Sequence, residues 1–140
     1  MKEDTVSTDQ IAFLPTLSVR NGLAAIEFYK KAFGAVELMR NVSPDGDVVA
    51  EISIGDCHFI LADEGPEYGN FSPETLGGTT IRMGLQVENP DAVAKQAISA
   101  GAKEIYPVAD QDYGYRLGRI LDPFGHHWEI FKPLKHADHQ

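Results

Sequence analysis

The chain has 140 residues, 43% of them hydrophobic and 24% charged, an ordinary globular composition that argues against disorder. With 12 basic against 21 acidic side chains, its net charge of −9 disfavours nucleic acid and anionic membranes as partners. The single Cys57 excludes an internal disulfide and a cysteine-rich zinc site, and suits a reducing cytosol. No apolar run approaches the ~20 residues that span a bilayer. The opening MKEDTVSTDQ lacks the basic start and apolar stretch of a signal peptide, so the expected location is cytoplasmic.

Residues 1–10 read as a frayed tail. Leu14 to Val19 then alternates apolar and polar side chains with the period of a half-buried strand. Asn21 is placed to cap a helix whose Leu23, Ile26, Tyr29 and Phe33 recur at steps of three and four, and Gly34 ends it. Three strands follow, near Val36 to Asn41, Val48 to Ile54 and His58 to Ala62. They are separated by the turn residues Pro44-Asp45-Gly46 and Gly55-Asp56. A loop rich in Gly, Pro and Ser occupies 64–79.

The order then repeats. Arg82 to Val87 alternates, Asn89 caps, Pro90 takes the first helical position, and Val93, Ala94, Ala97 and Ile98 form a weaker stripe that Gly101 closes. Strands are predicted near Glu104 to Val108, Arg116 to Leu121 and His127 to Phe131, the last two joined by Asp122-Pro123-Phe124-Gly125. Residues 134–140 read as a second tail in which His136 and His139 are solvated. The two halves also share residues: Leu17, Val19, Asn21, Ala24 and Ala32 match Leu85, Val87, Asn89, Ala92 and Ala100 at an offset of 68. The predicted fold class is therefore α+β. Two tandem β-α-β-β-β modules, residues 11–63 and 80–133, make one domain over 11–133.

The tandem modules, the string AIEFYKKAFGA and the string DPFGHHWEIF together resemble the vicinal oxygen chelate superfamily, which includes glyoxalases, bleomycin-resistance proteins and extradiol dioxygenases. The resemblance implies an eight-stranded open cup with helices outside, and a homodimer whose cup lies within one chain or is shared by swapped modules. In enzymatic members it also implies a divalent metal held by ligands from the first and last strands of both modules. The matching positions here are Leu14, Ile60, Arg82 and Glu129. Only Glu129 has a lone pair to offer a cation, so no metal or other cofactor is predicted, and Glu129 is the first candidate ligand if one binds.

Strand parity turns Glu51, Arg82, Gln86, Arg119, His127 and Glu129 into the cup, among apolar Leu14, Val49, Ile60, Leu117, Leu121 and Phe131. Tyr115, with Tyr113, is placed to cap its mouth. The expected ion pairs are Arg82–Glu129 and Glu51–Arg119, and Arg82→Leu is expected to cost on the order of 3 kcal/mol. His126 is expected to be exposed, and Cys57 to sit as a small hydrophobe at a strand start.

The expected function is binding of a small organic molecule, with the acidic chain favouring a cationic one. The alternative is a metal-dependent lyase, isomerase or dioxygenase using Glu129 with Glu51 or His127. Metal-free acid–base chemistry through His127 or a carboxylate is a third reading.

Overall fold

The computed structural model describes residues 11–135; the tail histidines His136 and His139 lie outside the described residues. The elements run β1 (Thr16–Val19), α1 (Gly22–Phe33), β2 (Val36–Val42), β3 (Val48–Ile54), β4 (Cys57–Asp63), α2 (Pro73–Leu76), β5 (Arg82–Gln86), α3 (Pro90–Ala100), β6 (Lys103–Asp110), β7 (Tyr115–Leu121) and β8 (His127–Pro133). They form two four-stranded sheets ordered β1-β4-β3-β2 and β5-β8-β7-β6. In each sheet the first strand runs parallel to the last, and the other neighbours are antiparallel. The sheets do not close on each other, and together they give the expected open α+β architecture of tandem modules.

The helix ends follow from local chemistry. Asn21 Oδ1 accepts from the Ala24 amide and Asn89 Oδ1 from the Ala92 amide, each at 3.1 Å, so the same residue type caps both long helices. Gly34 and Gly101 close them at φ 68 and 128, in the positive region that an L side chain resists. The buried face of α1 is not quite the predicted stripe. Ala25, Ile26, Phe28, Tyr29 and Ala32 are buried, whereas Leu23 is 50% exposed. The reason is that α1 packs on α3 as well as on its own sheet, with Gln96 Nε2 donating to the Lys31 carbonyl at 2.9 Å. Two neighbours demand a broader face, with alanines where backbones come close.

One core joins the modules. Leu17, Val19, Phe59 and Leu61 face the helices from the first sheet, and Ile120, Trp128 and Ile130 do so from the second. Tyr29 packs on Phe59 of its own module at 5.6 Å between ring centroids and on Trp128 of the other at 5.5 Å. Burying side chains of this size contributes about 1.5–3 kcal/mol each, so the core fixes the strand parity strongly.

Two details depart from the sequence reading. The 64–79 segment carries structure of its own: a 3₁₀ turn at Pro66–Tyr68, then the one-turn helix α2, which Ser72 caps by accepting from the Thr75 amide. Glu64 holds this segment, accepting from the Ser72 amide at 2.8 Å and the Thr75 hydroxyl at 2.9 Å. In addition, β6 is bulged on either side of Tyr106, and the strand bends over β7. A β-carbon at Gly118 would lie 2.8 Å from the Val108 amide nitrogen, so only glycine admits that approach.

Candidate functional site

With the helix-facing residues buried, strand alternation turns the opposite side chains of β5, β7 and β8 to the open face of the second sheet. The ladder sets Arg119 beside Glu129, Leu117 beside Phe131 and Arg82 beside His127. Arg119 Nη2 donates to Glu129 Oε2 at 2.9 Å, and Arg82 Nε lies 3.2 Å from the same oxygen. Two guanidinium groups therefore share one carboxylate. The Arg119 guanidinium also stands 5.3 Å from the ring centre of Tyr106, an arrangement that favours the cation over the ring face.

The expected Arg82–Glu129 pair is thus present, but Glu51–Arg119 is not. Glu51 Oε2 instead accepts from His58 Nδ1 at 2.8 Å, across the neighbouring strand of its own sheet. The pseudo-equivalence of Glu51 and Arg119 holds in register: Glu51 stands beside Ile60, and Arg119 beside Glu129. Equivalent places in two sheets are not adjacent places, and each charge took its partner from the next strand.

Aromatic side chains wall this face. Arg82, Tyr113, Tyr115, Leu117, Glu129 and Phe131 bound a cavity of about 370 Å³. A second of about 350 Å³ adjoins it, sharing Tyr113, Leu117 and Glu129 and adding Tyr106 and Arg119. Tyr115 meets Phe131 edge-on at 5.7 Å and Tyr113 at 6.2 Å. All of these walls come from the second module. Tyr106 was missed by the sequence reading, because the bulges around it break the simple alternation that parity relies on. Gln86 shares the face but stands at the far end of β5, where it lines a separate cavity with Lys132 and Lys135.

His127 sits beside Arg82 and Leu121. Burial, then the nearby Arg119 charge, lowers its pKa below the usual imidazole value, which favours the neutral ring over the cation. Among the described residues, His127 Nδ1 and Arg119 Nε are the buried side-chain polar atoms without a hydrogen-bond partner, and both belong to this sheet.

Three expectations need correction. His126 is 6% exposed rather than open to solvent: its Nε2–H donates to the Ser18 carbonyl at 2.9 Å, clamping the β7–β8 turn to the first module. Cys57 is exposed and packs in no core: it shares the Phe59 face by strand alternation, but as the first residue of β4, directly after the Gly55-Asp56 turn, it lies at the edge of the buried face. Leu14 precedes β1, which begins at Thr16 after Pro15, so strand parity does not govern where its side chain points.

The residues at the family's metal positions do not fit a divalent cation. Leu14 and Ile60 carry no donor atom, Arg82 is a fixed cation, and Glu129 Oε2 is engaged by two guanidinium groups. No cluster of three His, Cys, Asp or Glu side chains suited to a metal occurs among the described residues. The donor chemistry, rather than any missing ion, is the mismatch.

Known proteins place this geometry. A family model described as the glyoxalase/bleomycin resistance protein/dioxygenase superfamily matches residues 9–130. An uncharacterised protein of Mycobacterium bovis is 38% identical over 131 residues, covering 91% of this chain and 86% of its own. In structure the chain is similar to TioX from Micromonospora sp. ML1, with a TM-score of 0.71 at 22% identity over 89% of this chain and 99% of that one. It is also similar to the fosfomycin resistance protein FosX of Listeria monocytogenes, with a TM-score of 0.67 at 12% identity, covering 94% and 98%. The structural likenesses carry the fold alone, whereas the family model spans both modules from the first strand to Ile130. On that ground the chain belongs to the glyoxalase/bleomycin resistance protein/dioxygenase superfamily.

Proposed function

We propose that the protein binds a small organic molecule on the open face of its second sheet, without a divalent metal at the position where enzymatic members of the superfamily hold one. The observation that carries this reading is the pairing of Glu129 with both Arg82 and Arg119 beneath an aromatic wall. A few convergent polar groups within apolar and aromatic walls, around a cavity of several hundred Å³, is the usual form of a small-molecule site. The carboxylate that a metal would need is held by cations instead.

The same reading takes the protein as a homodimer. Met39 and Val49 of the first sheet lie in register with Glu51 and Asn41 on its open side, and both are exposed. That side bears the acidic Glu51, whereas the second sheet bears two arginines against one glutamate. The first sheet of one copy therefore complements the second sheet of another, and both apolar faces would leave water. A cytoplasmic location accompanies the proposal, because the lone, exposed Cys57 favours a reducing compartment.

Native mass spectrometry of protein purified without chelator tests the reading. The expected spectrum is a dimer, metal-free, carrying a co-purified or added small molecule that Tyr115→Ala, in the aromatic wall, no longer retains. A stoichiometric divalent metal would overturn the proposal in favour of a metal-dependent lyase, isomerase or dioxygenase.

A further inference from the structure

The sign of the charge at the site differs from that of the chain. The whole protein carries −9, which by itself favours a cationic ligand. Ionic screening limits the reach of those distant charges to about 8 Å at physiological salt, so the groups lining the cavities decide. Those groups include two guanidiniums, Arg82 and Arg119, and one carboxylate, Glu129. The local balance is one positive charge in excess.

The two arginines are not equivalent. Arg119 is 22% exposed, fixed by its hydrogen bond to Glu129 and by the Tyr106 ring. Arg82 is 58% exposed and donates no hydrogen bond to a described residue; it meets Glu129 only as an ion pair through Nε. Its guanidinium thus retains donors for an incoming acceptor. Guanidinium presents two parallel N–H groups that match a carboxylate in a bidentate fit. Beside it, Tyr113, Tyr115 and Phe131 offer ring faces and edges to a flat apolar body.

Resting on the small-molecule reading above, we propose that this face takes a planar aromatic carboxylate, its carboxylate on Arg82 and its ring against Tyr113, Tyr115 and Phe131. Arg119 and Glu129 form the fixed floor. Glu129 holds Arg119 in place, and its charge cancels only one of the two arginines. A cationic ligand would meet both guanidiniums before it reached the single, already paired carboxylate. A neutral ring would leave the Arg82 donors to water.

Isothermal titration of the full-length protein with three isosteric probes tests this: 2-naphthoate, 2-naphthamide and 2-naphthylmethylammonium. The expected result is that naphthoate binds at least tenfold more tightly than the amide, and that the ammonium binds most weakly. Arg82→Gln, at an exposed position that should tolerate it, is expected to reduce naphthoate to the level of the amide. Glu129→Gln raises the local excess to two positive charges and is expected to strengthen naphthoate severalfold. If the ammonium binds as tightly as the acid, or the amide equals it, the carboxylate assignment is overturned while the cavity stands as a binding site. If no probe binds at millimolar concentration, both the ligand class and the small-molecule reading fail.

Discussion

The hydroxyl of Tyr29 on α1 donates a hydrogen bond to the carboxylate of Asp122, a buried pair that joins the two modules across 93 residues of sequence. Asp122 is filled from all sides. Trp128 Nε1 donates to Oδ2 at 3.0 Å, and the Phe124 and His126 amides donate to Oδ1 at 2.9 and 3.0 Å. A carboxylate buried in an apolar core persists only when donors replace its water in this way. Here they also shape the β7–β8 turn and bring His126 to the Ser18 carbonyl.

Removing one donor should therefore cost less than removing the acceptor. Tyr29→Phe deletes one hydrogen bond to a charged group, an expected loss of about 1.5–3 kcal/mol. Asp122→Ala strands the tyrosine hydroxyl, the indole N–H and two backbone amides, and should destabilise the fold by more. Urea denaturation of the two variants reads the order. Equal losses would mean that the cluster does not act as one network.

The same pair predicts a pH response. Burial, followed by the Asp122 charge, raises the Tyr29 pKa well above its ordinary value of 10.0. In the unfolded chain the phenol loses its proton near pH 10, while in the folded chain it must keep it. Stability is thus unaffected by this group below about pH 10 and falls as pH rises beyond it, because the folded state then binds more protons than the unfolded state. Melting temperatures between pH 9 and 11 should fall less steeply for Tyr29→Phe than for the parent protein. Parallel curves would remove Tyr29 as the source.

At the site, the cost of losing an arginine is redistributed relative to the sequence expectation of about 3 kcal/mol for Arg82→Leu. Arg82 is more than half exposed, and Arg119 remains on Glu129 when it is gone. Its removal should cost no more than about 1 kcal/mol. Arg119→Leu removes the only hydrogen bond from a described residue to the Glu129 carboxylate, which is itself 22% exposed, and should cost about 1–3 kcal/mol. Thermal melts of the two single variants test the order, and a larger loss for Arg82→Leu would reverse this assignment.

Much of the architecture was readable because it depends on neighbours in the chain. Asn before each helix, glycine after it and the two-residue period of the strands are local rules, and the observed helices and strands of the α+β fold follow them. The site was readable only in part. Parity put Glu51 and Arg119 on the open sides of their sheets, but it could not say whether those sides meet. Glu51 therefore turned to His58, and Arg119 to Glu129.

The pattern of apolar and polar residues is enough to define helices, strands and the buried side of each, since those depend on backbone hydrogen bonding and short-range packing. The bulges that carry Tyr106 onto Arg119, the burial of His126 and the sharing of Glu129 by two arginines arose only when distant segments came together. Through-space distance and local exposure set which charges pair, and neither is a property of position along the chain.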